Sequence, residues 1–168
     1  AFTRTGGQAS PRSVGSLRLQ FSSDVRAAAT FSFEGVGSGT LNLQVLEFAD
    51  GLRQLPVGGT WAAPAFAFQG FSIVSQAKVL AVVTYFYDQL GVLRWALGTA
   101  AAADVTDVPM LAFRGSCPSC GYVPPSSRLS GSVRLAFKNR DLATVEAAIE
   151  VEGISAWSTA PTRLEAYR

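Results

Sequence analysis

Apolar and polar residues alternate along most of the chain. Leu17, Leu19 and Phe21 are separated by Arg18 and Gln20, and Phe31 and Phe33 by Ser32. Leu41, Leu43 and Val45 bracket Asn42 and Gln44, while Leu93, Trp95 and Leu97 bracket Arg94 and Ala96. Successive side chains of a strand point to opposite faces, so a period of two predicts half-buried strands. Turn residues punctuate the runs: Gly35 to Gly39, Asp50-Gly51, Gly58-Gly59, Gln89-Leu90-Gly91 and Pro124-Pro125. The spacing predicts an all-β chain, a single antiparallel sandwich or barrel of about 10–12 short strands.

One stretch competes with that reading. Asp141 to Glu150 is built from good helix formers, with Leu142, Val145, Ala148 and Ile149 at helical spacing. An internal repeat argues for a strand instead. Gly15-Ser-Leu-Arg-Leu-Gln-Phe21 matches Gly131-Ser-Val-Arg-Leu-Ala-Phe137 at an offset of 116. Phe31 to Gly35 matches Ile149 to Gly153, and Leu46-Glu47 matches Leu164-Glu165, both at an offset of 118. Matched segments share a conformation, and Thr30-Phe31-Ser32-Phe33 is a poor helix. Val145 to Glu152 is therefore expected as a strand, with Glu146, Glu150 and Glu152 facing water. A fainter match joins Ala1-Phe2-Thr3-Arg4 to Ala112-Phe113-Arg114. The organisation predicted is one β domain over 1–168, with pseudo-repeated halves at 13–50 and 130–168 around a middle module at 59–98.

That middle module carries the most specific pattern. It reads Gly59-Thr-Trp61-Ala-Ala-Pro64, Gln69-Gly-Phe-Ser-Ile73, Leu80 to Val83, Tyr85-Phe-Tyr-Asp88, Gly91 and Arg94-Trp95. It resembles a module of exported proteobacterial proteins of mostly unassigned function. In that family the run is Gly-x-Trp-Tyr-Asn-Pro, Ser-Gly-x-Gly-Phe, a hydrophobic strand, Phe-Thr-Tyr-Asp-x-x-Gly and a closing Trp. Here Ala62-Ala63 replaces Tyr-Asn, and Ala67-Phe68 replaces Ser-Gly. The resemblance implies an all-β fold and export to the periplasm, cell surface or medium, with no established chemistry to inherit. A first residue other than Met and the lack of a charged-then-apolar leader fit a chain whose signal peptide has been removed.

Within the module, Asp88 and Gly91 are expected to form a hairpin turn, Asp88 bonding its own backbone and Gly91 supplying a positive φ. The aromatics have two readings. Trp61, Phe71, Tyr85, Tyr87 and Trp95 alternate as core residues would, whereas Trp61, Phe66, Phe68 and Trp95 are candidates for a ligand-binding surface. Phe66 and Phe68, after Pro64, are the foremost of these.

Composition narrows the chemistry. Of 168 residues, 48% are hydrophobic and 15% charged, and none is histidine. Ser-His-Asp and Cys-His catalysis are thereby excluded, along with nearly all catalytic zinc sites. The net charge is +2 and the basic residues are scattered singly, unlike the stripe of a nucleic-acid binder. The longest apolar run, Val79 to Tyr87, is nine residues, far short of the roughly 20 a membrane helix needs.

Cys117-Pro-Ser-Cys120 is the one cysteine pair. In an exported chain it reads as a local structural disulfide. A redox motif would want a helix to follow, and Tyr122-Val-Pro-Pro125 does not open one. Zinc would need more ligands, and a bond to a neighbouring subunit stays open. Carboxylate catalysis lacks a pair: Asp88 is the one acid between Trp61 and Ala103, nothing in the sequence places Glu47 or Asp50 beside it, and Glu47 and its repeat mate Glu165 read as solvated strand residues.

No cofactor, metal or catalytic residue is therefore expected, and no nucleic-acid partner. The expectation is a non-catalytic extracellular or surface protein, self-associating through strand edges. The alternative is a binding module for a glycan, peptide or small apolar ligand.

Overall fold

The computed structural model describes residues 2–5, 8–45, 57–65, 69–115, 120–151 and 154–167. Among these residues it contains thirteen strands and no helix. The chain, read from sequence as one domain, divides into two compact units. One comprises Ala1–Leu46 and Gly115–Pro125, the other Glu47–Arg114 and Ser126–Arg168.

The larger unit is a closed antiparallel barrel of eight strands. Its strands are β6 (Gly59–Ala62), β7 (Gly70–Gln76), β8 (Val79–Tyr87), β9 (Leu93–Ala101), β10 (Val105–Arg114), β11 (Ser126–Phe137), β12 (Leu142–Val151) and β13 (Ile154–Tyr167). Each pairs with the next in sequence, and β13 returns to β6 to close the ring. Closure removes the unpaired edges that an open sheet presents.

The alternation read from sequence becomes inside and outside. Val82 and Phe86 of β8, Val133 and Leu135 of β11, and Val145 and Ile149 of β12 are at most 1% exposed. Trp157 lies in the interior against Phe71 and Phe86, with ring centroids 5.6 Å and 5.8 Å apart. Eight strands enclose a space that side chains of this size fill, so the barrel centre is a packed core. The outward positions of β12, Glu146 and Glu150, face water, and the helix-like composition there is overridden by pairing on both sides. Glu152 lies outside the described residues.

The smaller unit holds the hairpin of β1 (Phe2–Thr5) and β2 (Gln8–Pro11) and a three-stranded antiparallel sheet. The sheet consists of β3 (Gly15–Ser23), β4 (Arg26–Phe33) and β5 (Gly37–Gln44), with β4 in the middle.

The internal repeat is a repeat of register. Gly15 pairs with Phe33 and Gly131 with Ile149, each member of the second pair lying 116 residues after its counterpart. Leu17 with Phe31 likewise corresponds to Val133 with Ala147, and Leu19 with Ala29 to Leu135 with Val145. The offset of 118 assigned from sequence to the second strand is thus corrected to 116. Phe33, and not Phe31, is the counterpart of Ile149. A slip of two residues keeps every side chain on its own face, which is why the pattern tolerated it.

The two glycines share their geometry as well. Gly15 has φ +150° and Gly131 φ +122°, and a Cβ on either would strike the carbonyl oxygen of Ser32 or Ala148, themselves 116 residues apart. The smaller unit therefore repeats, in β3 and β4, the pairing of β11 with β12 in the barrel.

Candidate functional site

Asp88 sits where β8 turns into β9. Its Oδ1 accepts hydrogen bonds from the N–H groups of Leu90 and Val92, both at 2.9 Å, and its Oδ2 accepts one from Arg94 Nε at 2.9 Å. Gly91, at φ +73°, donates its N–H to the Asp88 carbonyl. The Val92 N–H and then the Arg94 guanidinium hold the Asp88 carboxyl below its ordinary pKa, with Leu90 adding to them against the effect of burial. Every strong interaction of this carboxylate is spent on the turn, and no second acid faces it among the described interactions. Its hydrogen bonds hold the β8–β9 turn.

The aromatic candidates part company. Trp61 is fully buried, its indole N–H donating to the Val57 carbonyl at 2.8 Å and its ring edge-on to Phe137 at 5.6 Å. This corrects its place among ligand-binding candidates: no ring face is left to a ligand. Phe66 and Phe68 lie outside the described residues. Trp95 points outward, 45% exposed, and stacks on Phe113 with centroids 5.0 Å apart and planes 5° apart. Tyr85, directly across the β8–β9 ladder from Trp95, is also exposed. The alternation had suggested core positions for Tyr85, Tyr87 and Trp95, but their parity is that of the barrel's outer wall.

Beside this shelf a shallow groove of about 350 Å³ is lined by Trp95, Phe113, Arg94, Arg114 and Arg128. Sequence reasoning passed over Phe113 and the two further arginines. They come from β10 and β11, and the pairing of β9, β10 and β11 brings them beside Trp95. Cys120 is disulfide-bonded, and Cys117 lies outside the described residues, as do Glu47 and Asp50. Glu165 pairs with Arg163 at 2.7 Å on the surface. Among the described residues no cluster of three or more His, Cys, Asp or Glu could hold a metal. No helix of these residues is long and apolar enough to cross a membrane.

The most unusual surface is in the smaller unit. Cross-strand pairs place Leu17, Leu19 and Phe21 of β3 on one face with Ala27, Ala29 and Phe31 of β4 and Leu41 and Leu43 of β5. The other face carries Arg18, Gln20, Thr30, Thr40, Asn42 and Gln44. On this face Ala29 and Phe31 of the middle strand are buried, at 5% and 4% exposure, while Leu17, Leu19, Phe21, Leu41 and Leu43 of the outer strands are 41–72% exposed. The barrel counterparts of Leu17 and Leu19, Val133 and Leu135, are wholly buried. The same register thus gives a fully covered face in the barrel and one with exposed outer strands in the smaller unit.

A sequence-level signal for this existed. There are two repeated halves but one middle module, and one module can complete only one barrel. Compared with known proteins, no family model matches the chain, and no curated protein or solved structure matches it. Fold and site define a class in physical terms: a closed, packed β-barrel accompanied by an open, two-faced β-sheet.

Proposed function

We propose that the chain is a non-catalytic contact protein of the cell exterior that works by self-association. The observation that carries this reading is the apolar face of β3–β5, whose outer strands expose Leu17, Leu19, Phe21, Leu41 and Leu43 on either side of the buried Ala29 and Phe31, backed by a polar face. Monomeric soluble proteins seldom leave such patches in water, and large ones mark interaction sites. Among the described residues both outer strands, β3 and β5, pair only with β4, so each also offers an edge for pairing. Support for export comes from the resemblance of residues 59–98 to an exported module and from the disulfide at Cys120, whose expected partner is Cys117. Sedimentation velocity of the unaltered chain from about 1 to about 500 µM tests the proposal. The sedimentation coefficient is expected to rise with concentration, and a constant monomer value contradicts self-association.

A second reading has its own observation, the Trp95–Phe113 stack beside Arg94, Arg114 and Arg128. A flat exposed aromatic pair with guanidinium groups at its margin suits a sugar ring or an acidic glycan. Trp95→Ala is expected to abolish retention on an acidic-glycan column at unchanged melting temperature. Retention equal to that of the unaltered chain, or no retention of either, sinks the reading.

A further inference from the structure

We infer that the partner of the open sheet is a second copy of this chain, with the two β3–β5 sheets packed apolar face to apolar face. The inference rests on the self-association proposed above and names its surface and geometry. Four observations carry it.

The first is the repeat of register. The face formed by Leu17, Leu19, Ala29 and Phe31 corresponds residue by residue to that of Val133, Leu135, Val145 and Ala147, which is the interior of a closed β structure. The pattern is therefore that of a face made to be covered by another sheet.

The second concerns which sheet can cover it. In the barrel that role falls to β6–β9, which brings Trp61, Phe71 and Phe86 into the interior. On the β11–β12 face of the same core, the position matching Phe31 is the small Ala147. In the smaller unit that position is Phe31, whose ring lies over Gly39, its Cζ 3.1 Å from where a Cβ would stand, and stacks with Phe33 at 5.9 Å. The centre of the sheet is already filled by its own rings. A module of the β6–β9 kind would drive more rings into occupied space, a form of overpacking. A sheet with leucines around a filled centre fits such a face better, and the chain's own β3–β5 is one.

The third is charge. No charged residue stands on the apolar face, all of those in the sheet lying on the other side or at its ends. Two identical faces then meet without like-charge repulsion, as a two-fold contact requires. The fourth is size. Leu17, Leu19, Phe21, Leu41, Leu43 and Val45 leave on the order of 600 Å² of apolar surface in water, against about 800 Å² per partner in a standard specific interface. With its polar margin the sheet reaches that size, and paired sheets about 10 Å apart form an ordinary sandwich core.

The test uses the full chain and two charge insertions. Leu19→Asp puts a carboxylate in the middle of the apolar face, and Gln20→Asp puts one next door on the polar face. Leu19→Asp is expected to raise the dimer dissociation constant at least about a hundredfold and Gln20→Asp less than about threefold. Leu19→Asp could also unfold the sheet, so radical footprinting of the unaltered chain provides a second reading. Oxidation of Phe21 and Leu43 is expected to fall as the dimer forms, with Trp95 unchanged. A dimer that survives Leu19→Asp, or in which Phe21 stays as reactive as in the monomer, overturns the face-to-face contact while leaving self-association through another surface standing. A chain that stays monomeric throughout overturns both.

Discussion

The Asp88 carboxylate shows how far one side chain can be committed to architecture. Two backbone N–H groups and one guanidinium surround it, and its side chain is only 11% exposed. Because these bonds favour the ionised form, its pKa in the folded chain lies below that in the unfolded chain. The stabilisation is complete above the unfolded value near 4 and is lost as pH falls through the lowered folded value. Asp88→Ala is accordingly expected to lower the melting temperature at neutral pH. The gap between variant and unaltered chain should narrow as pH falls through the lowered folded value, where the unaltered chain loses the charge too. A gap of constant size through that fall would show that the ionised carboxylate is not what holds the turn.

At the scale of elements, the repeated hairpin is the organising unit. Gly15 opens β3, and Gly131 sits within β11 where its register on β10 shifts, both with a backbone that other residues rarely adopt and each against the carbonyl of its partner strand. Gly131→Ala is expected to destabilise the barrel by about 3 kcal/mol or more, because both the left-handed φ and the lost clearance penalise a methyl group. Chemical denaturation followed through the buried Trp61 and Trp157 reads this directly. Gly15→Ala should abolish concentration-dependent association, since the strand carrying Leu17 and Leu19 starts there. An unchanged denaturation midpoint for Gly131→Ala would mean that the backbone of β11 is free to shift at this point.

Much of this level was legible beforehand. Period-two alternation located the strands, and the Gly-Ser-x-Arg-Leu repeat correctly turned the helix-like Asp141–Glu150 stretch into a strand. What the pattern could not supply was which face of β8 and β9 turns inward. Trp95 and Tyr85 alternate as regularly as Val82 and Phe86, and only the closed ring decides which set meets the core. The shelf of Trp95 and Phe113 was hidden because the register of β10 on β9, which sets the two rings side by side, is not written in the alternation.

For the whole molecule, composition and patterning had pointed to one large core, whereas the apolar residues serve two ends. Those of the barrel are consumed in a packed interior, and those of β3–β5 remain available. A three-stranded sheet with so few buried side chains is marginal by itself, so covering its face and ordering its backbone are one event. That link makes amide hydrogen exchange of the unaltered chain the most direct measurement, compared at about 2 µM and about 200 µM. The amides of β3, β4 and β5 are expected to exchange more slowly at the higher concentration, while those of β11 and β12 exchange alike at both. Exchange from β3–β5 that does not depend on concentration would contradict the account of this sheet as a self-association surface.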